Sequence, residues 1–358
     1  MTRWAAFEAL CEHLRAGVLG SGPPPADPAN WELVIEASSY HLVTPALAWC
    51  LRDRADLPDD IREYLEAALA LNARRNELLL DQLERLVQAL NRIEVEPVLL
   101  KAAAHLVEDL YPVAGFRVLG DLDLLIPAER ARDVAAAAAA IGFASEVVAG
   151  WLHVPDNHLP KMIDRDSGAG VDLHTEVAVA GSQAILPVSW FWPRTHAASF
   201  RGARVRIPDS TAMIVHNIVH HQLDHGYYRG RRIELRQLLD FVLLRARYRS
   251  AIDWADVERR FVDGNAGEAL GAYLGFAEVL LGQVPPAISV RAQADAIDQL
   301  RAGIERPRRR PWARLGYIAS DYVARLRRRP TRILNLLNVR MWPAYIGVIL
   351  SAWQLRKW

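Results

Sequence analysis

The sequence has few cysteines, almost no net charge and no long apolar run. Its 358 residues include only two cysteines, Cys11 and Cys50, which cannot build a disulfide framework. No stretch of about 18 apolar residues occurs, so we expect no membrane-spanning helix. The early acidic residues also argue against a signal peptide. The net charge of +1 gives no global field that would favour nucleic acid as a partner. These absences favour a globular protein in a reducing, cytoplasmic setting.

The apolar periodicity divides the chain into four predicted parts. Residues 1–95 have helical spacing throughout, with a long helix over 59–92. Residues 96–205 predict an α+β core. Its strands are expected at 96–100, 121–126, 145–154, 158–164 and from 171 onward, with helices at 101–111 and 127–141. A helical domain follows over 206–290, and 291–358 form a basic, aromatic helical C-terminal arm. The predicted fold class is therefore α+β, a small mixed β-sheet core flanked by N-terminal and C-terminal helical regions.

The most informative feature is a pair of carboxylates inside a buried strand pattern. Asp121 and Asp123 lie two residues apart, so they share one face of the strand. Such neighbouring charges are costly unless a cation or a hydrogen-bond network neutralises them. Asp172 lies on a second alternating segment, 170–177. If the two strands pair, three carboxylates meet and can hold a pair of divalent cations. The alternative is a capped turn in which the carboxylates accept backbone N–H bonds.

These motifs resemble a known enzyme group. Leu100-Lys101-Ala102, the Arg-x-x-x-Asp-x-Asp run over 117–123 and Asp172-Leu173-His174 resemble the DNA polymerase β-type nucleotidyltransferase superfamily. More narrowly, they resemble its uncharacterised family with Leu-Lys-Gly, Arg-x-x-x-Asp-x-Asp and Asp-x-His segments. Segments 41–45 and 216–240 resemble other parts of that family, so the resemblance covers roughly 30–245.

The resemblance implies a metal-dependent nucleotidyltransferase that moves a nucleoside monophosphate from an NTP to an acceptor and releases pyrophosphate. It implies Mg²⁺ or Mn²⁺ as the cofactor and an NTP, with ATP expected, as co-substrate. The acceptor would be a small molecule, a peptide natural product or a protein. The implied residues are Asp121, Asp123 and Asp172 for catalysis and metal binding, Lys101, Arg117 and Gly120 for nucleotide binding, and His174 for contacting the acceptor or orienting a carboxylate.

Other interpretations of these residues stay open. Ala102 stands where the family has glycine, which favours a diverged nucleotide- or peptide-binding module without turnover. Transfer of another phosphorylated group, as in a kinase, is a further alternative. Lys101 is either a point charge for the triphosphate or a solvated residue at a strand edge. Arg117 suits either a phosphate clamp or a tie that holds its loop, since its fork binds bidentately.

Two further clusters have a structural and a functional interpretation. His216 and His220 have the i, i+4 spacing that can bind Zn²⁺, but the metalloprotease Glu and nearby cysteines are missing. Histidines that pack between helices are therefore favoured. The arginine runs at 306–310 and 325–329 predict a solvated helical arm. The alternative is binding to a polyanion or peripheral contact with an anionic membrane.

Overall fold

A computed structural model describes residues 1–20, 26, 28–145, 159–165, 170–293 and 295–305. Most of the strand predicted at 145–154, and the basic arm beyond residue 305, lie outside the described residues. The division into four parts stays a prediction.

The N-terminal region is helical, as the periodicity predicts, and it contains four helices. The hydroxyl of Thr2 accepts a bond from the Ala5 N–H at 3.1 Å and caps the first of them, which ends at Gly20 with a left-handed φ of 61°. The fourth has 34 residues and is about 50 Å long. The four are α1 (Arg3–Leu19), α2 (Trp31–Tyr40), α3 (Thr44–Leu51) and α4 (Asp59–Arg92).

One seven-stranded mixed sheet forms the centre of the described chain. Its strands are β1 (Val98–Leu99), β2 (Leu122–Leu125), β3 (Phe143–Ser145), β4 (Met162–Asp164), β5 (Gly170–His174), β6 (Thr195–Phe200) and β7 (Ala203–Pro208). They lie in the order β3-β4-β5-β2-β1-β7-β6. The β2–β5 and β1–β7 pairs are parallel and the other four are antiparallel. The predicted α+β class with a mixed sheet is confirmed.

The helices inside the core are shorter than predicted. The helix predicted over 101–111 is α5 (Lys101–Val107), and the chain leaves it at Asp109, whose φ is 49°. The helix predicted over 127–141 begins as a 3₁₀ turn, Ala128–Arg130, and continues as α6 (Ala131–Ala140). Both differences arise at element ends, where local turn chemistry competes with helical spacing.

The β6–β7 hairpin was not predicted. Its turn is Arg201-Gly202, with φ angles of 48° and 82°, the left-handed pair that matches the twist of a hairpin. The segment before the turn holds one large apolar residue, Phe200, and therefore lacks the alternation that marks a half-buried strand. The hairpin extends the sheet beyond the predicted core strands.

Seven helices follow or flank the hairpin. They are α7 (Val188–Phe191), α8 (Ser210–Ile218), α9 (Tyr227–Gly230), α10 (Leu235–Arg247), α11 (Trp254–Asp263), α12 (Gly267–Leu281) and α13 (Asp295–Glu305). A carboxylate oxygen of Asp209 caps α8 by accepting the Ala212 N–H at 2.7 Å, and α8 continues into a π-helical turn, Val219–Asp224. α12 packs on α1, so the two helical regions meet. Within the described ranges, no helix combines the length and apolar character that crossing a bilayer requires.

Candidate active site

The three predicted carboxylates come together at the centre of the sheet. Asp121 ends the loop before β2, Asp123 lies in β2, and Asp172 lies in β5. β2 and β5 are parallel neighbours, and their register sets Asp123 opposite Asp172. One carboxylate oxygen from each residue lies within 4.8 Å of the others, close enough for one cation to contact all three. The strand pairing on which the sequence argument depended is therefore present.

Asp123 is the buried member of the trio, and two cationic or donor groups hold it. The Lys101 ammonium lies 2.7 Å from Asp123 Oδ1, and His174 Nε2 donates to the same oxygen at 2.8 Å. Because an ionised carboxylate only accepts hydrogen bonds, the His174 ring carries a proton on Nε2. Burial raises the pKa of Asp123, but the Lys101 charge and the His174 bond outweigh it and hold the pKa well below its usual range. Asp123 is therefore ionised.

Lys101 reaches Asp123 from an unusual backbone conformation. Its φ is 50°, a left-handed value that costs free energy in a residue with a Cβ. The strand before it ends where the Leu100 N–H bonds to the Asp123 carbonyl at 3.0 Å. Such strain persists only where surrounding contacts hold it, and it is frequent at functional sites. The contact of Lys101 with Asp123 argues against the interpretation of Lys101 as a solvated residue at a strand edge.

Lys161 is a further basic residue at the trio, and sequence reasoning missed it. Its ammonium lies 2.6 Å from Asp121 Oδ2 and 3.8 Å from Asp172 Oδ1. Burial lowers its pKa, but the bond and charge of Asp121, and then Asp172, raise it overall. No local spacing could have linked Lys161 to Asp121, which lies 40 residues earlier.

Arg117 contacts a helix. Its Nε donates to both carboxylate oxygens of Asp240 at 3.0 Å, and its Nη2 donates to Oδ2 at 2.8 Å. The Tyr111 hydroxyl also donates to Asp240, at 2.8 Å. Both members of the ion pair are buried, at 5% and 1% exposure. This contact connects the Arg117 loop to α10, and it supports the interpretation of Arg117 as a tie that holds its loop. A direct phosphate contact by Arg117 stays a prediction.

Gly120 is exposed and its surroundings are open. A Cβ built on it would meet no atom within 4 Å, so no steric contact in the described chain requires glycine there. Its predicted role in nucleotide binding stays a prediction.

Two asparagines of α4 hold the loop that leads into the acidic strand. Asn72 Nδ2 donates to the carbonyls of Gly115 and Arg117 at 2.6 and 3.0 Å. Asn76 Nδ2 donates to the carbonyls of Ala114 and Arg117 at 2.7 and 2.8 Å. Both side chains are buried, and sequence reasoning did not single them out. The long N-terminal helix therefore fixes the backbone four residues before Asp121.

We expect Asn76→Ala to lower the free energy of unfolding by about 1–3 kcal/mol, because the loop loses two side-chain hydrogen bonds, of which the one to the Arg117 carbonyl is buried. Urea denaturation followed by circular dichroism measures the change. Gln88→Ala is the matched control, since this half-buried amide lies on the same helix and, in the described part of the chain, bonds to the Glu84 side chain one turn away. Equal midpoints for both variants would contradict the role of Asn76.

The histidines near α8 pack their rings against one another. The ring centroids of His216 and His220 lie 6.0 Å apart, and those of His220 and His225 lie 4.1 Å apart. Among the described residues, only the Asp121, Asp123 and Asp172 trio has the spacing of a metal site. The geometry agrees with the packing interpretation favoured from sequence.

His221 is a neutral member of this cluster. Its Nε2 accepts the Glu234 N–H at 3.0 Å, so the ring proton is on Nδ1. That proton needs an acceptor, and the Gln222 side chain lies 2.9 Å away, so we assign its amide oxygen to face the ring. Burial lowers the pKa of His221 to about 3.

The lowered pKa of His221 predicts loss of stability in acid. The unfolded chain takes up this proton below about pH 6.5, whereas the folded chain resists it down to about pH 3. The contribution is therefore complete above pH 6.5 and is lost as the pH falls toward 3. Between pH 7 and 5, wild type should lose about 2 kcal/mol more than His221→Gln in urea denaturation. Exposed His196→Gln is the control; a slope for His221→Gln equal to that of wild type would refute the prediction.

Comparison with known proteins gives one family and two distant structures. The model of a family described as uncharacterised nucleotidyltransferase matches residues 27–282. The antibiotic-resistance factor ANT(2'')-Ia has 12% identity and a TM-score of 0.38, over 55% of this chain and 95% of that one. An antigenic nucleotidyltransferase-like protein from Paracoccidioides brasiliensis has 15% identity and a TM-score of 0.33, over 55% and 91%. No curated protein matches the chain.

Proposed function

Because this chain belongs to the family of uncharacterised nucleotidyltransferases, we propose that it moves a nucleoside monophosphate from an NTP to an acceptor and releases pyrophosphate. Family membership makes it a transferase enzyme, with nucleotidyl transfer as the general chemistry. The observation that carries the proposal for this site is the carboxylate trio on two paired strands.

The carboxylate trio fits a hard divalent cation. All its side-chain donors are oxygens, the ligand type that Mg²⁺ and Mn²⁺ prefer, and they lie close enough to share an ion. Asp121, Asp123 and Asp172 would hold it. When bound, such an ion neutralises charge on the phosphate oxygens and helps to align donor and acceptor.

The remaining groups position the reactants. Lys101 places an ammonium beside Asp123, where a point charge also attracts the phosphates of the nucleotide. His174 fixes the orientation of the Asp123 carboxylate. Asp172 is half-buried and is the candidate base for the proton of the acceptor hydroxyl or amine. Arg117 acts through its pair with Asp240, which fixes the loop carrying Asp121.

The donor and the acceptor are proposed on the family resemblance. We assign ATP as the donor and a small molecule or peptide as the acceptor. One observation favours a second candidate, a nucleotide-binding module without turnover. Ala102 replaces the family glycine and is buried beside Lys101, so the backbone there has less freedom to approach a triphosphate.

Labelled nucleotides separate these functions. The protein is incubated with Mg²⁺ and each NTP carrying label at either the α- or the γ-phosphate, together with a fraction of cellular small molecules and peptides. Nucleotidyl transfer leaves only the α-label on an acceptor and releases the γ-label as pyrophosphate. Retention of the γ-label with NDP formation would contradict the proposal and indicate a kinase. Mg²⁺-dependent NTP binding in calorimetry without any product would favour the binding module.

A further inference from the structure

The chain uses lysine almost only at the carboxylate trio. Of its 43 lysine and arginine residues, three are lysine, at positions 101, 161 and 357. Lys101 and Lys161 both contact the trio, and position 357 lies outside the described residues. Lysine carries a compact point charge, whereas arginine carries a broad planar fork. Among the described residues, the two lysines therefore place compact cations at the cluster of three carboxylates, whereas the other basic side chains are arginines.

The two lysines divide the trio between them. Lys101 lies against Asp123, which His174 also holds. Lys161 lies between the other two carboxylates, at 2.6 Å from Asp121 and 3.8 Å from Asp172. Three carboxylates and two ammonium groups leave one net negative charge, which one divalent ion reverses. A second divalent ion would have to share the oxygens that Lys161 contacts.

The strands are arranged so that Lys161 reaches this position. β4 and β5 are antiparallel, and Met162 lies opposite Val171. Lys161, the residue before Met162, therefore lies opposite Asp172. In the register of β5 on β2, Val171 lies opposite Leu122, so one residue earlier Gly170 lies beside Asp121. The lysine stem crosses β5 over Gly170, where a Cβ would lie 2.2 Å from Lys161 Cε. Only glycine leaves that path open.

We propose that Lys161 is a built-in cation that takes the place of a second divalent ion between Asp121 and Asp172. The site then holds one divalent ion, where the sequence alone suggested a pair. This inference rests on the proposed function, because it assumes that the trio is a cation site. Lys161 neutralises charge beside Asp172, the candidate base for the acceptor, without any bound metal. Only the charge of the carboxylates that meet the nucleotide then depends on an added ion.

The test is a titration of the full-length protein with Mn²⁺ alone, in which electron paramagnetic resonance counts the free ion. Wild type is expected to bind one Mn²⁺ per chain. Lys161→Met keeps the bulk of the stem but removes the charge, and it should bind two. Arg165→Met removes an exposed positive charge one residue after β4 and should bind one, as wild type does.

Gly170→Ala is a second variant that keeps the lysine. Its new methyl group collides with the far end of a flexible side chain, so the fold tolerates it while the ammonium is pushed aside. It should also bind a second Mn²⁺, which keeps the proposal testable if Lys161→Met does not fold. Two ions in wild type, or one ion in Lys161→Met, would overturn the role of Lys161. Failure of all variants to bind Mn²⁺ would overturn the cation site itself, and with it the proposed function.

Discussion

Asp123→Asn is expected to slow Mg²⁺-dependent pyrophosphate release by roughly 10²- to 10³-fold, the scale on which losing one preorganised electrostatic contact acts. Asparagine keeps the size of the side chain but removes the charge that Lys101 and His174 hold in place. The cation site loses its buried carboxylate, and Lys101 is left beside a neutral amide. The rate is measured with a coupled pyrophosphate assay for each NTP.

Asp133→Asn is the matched control for this prediction. Asp133 is exposed on α6 and, among the described residues, pairs with Arg130 at 2.9 Å, so the same chemical change there should leave the rate unaltered. Thermal melting of both variants separates a loss of chemistry from a loss of fold. A folded Asp123→Asn protein with the wild-type rate would remove Asp123 from the active site.

Asp240→Ala is expected to lower the free energy of unfolding by about 3–5 kcal/mol, because it leaves the Arg117 guanidinium buried without its counter-charge. Arg117 is 5% exposed and Asp240 is 1% exposed, so water cannot replace the lost partner. The Tyr111 hydroxyl loses its acceptor at the same time. Urea denaturation at neutral pH measures the change.

Two comparisons isolate the ion pair as the cause. The double variant Arg117→Met with Asp240→Leu should recover much of the lost stability, since no charge is then left buried. Asp133→Ala, which breaks the exposed pair with Arg130, should cost less than about 1 kcal/mol. An effect of Asp240→Ala no larger than that of Asp133→Ala would show that the buried pair does not hold the loop.

The sequence was sufficient for features that repeat along a strand or helix. The alternation of leucine with Asp121 and Asp123 predicted one acidic face, and the parallel pairing of Asp123 with Asp172 agrees with it. Helical spacing over 59–92 predicted α4 with its observed bounds. In each case, the same period governs both local structure and burial, so sequence and fold carry the same signal.

Contacts between distant segments left no such signal. Asn72 and Asn76 bond to carbonyls some forty residues away. Their spacing from Leu79 places them on the buried face of α4, but it does not identify the carbonyls that they meet. Lys161 reaches Asp121 only because Gly170, on the strand between them, has no side chain. The partner of Arg117 is Asp240, 123 residues later. Such pairings depend on how the elements pack, which strand and helix periodicity does not contain.

We expect the carboxylate trio to hold a divalent cation that meets the nucleotide. The most direct measurement is a crystal structure with Mn²⁺ and a non-hydrolysable NTP, using anomalous scattering to locate the metal. We predict an anomalous peak in contact with carboxylate oxygens of Asp121 and Asp123 and with a phosphate oxygen. A nucleotide bound elsewhere, or a trio that contacts only Lys101, Lys161 and His174 at saturating Mn²⁺, would contradict the claim.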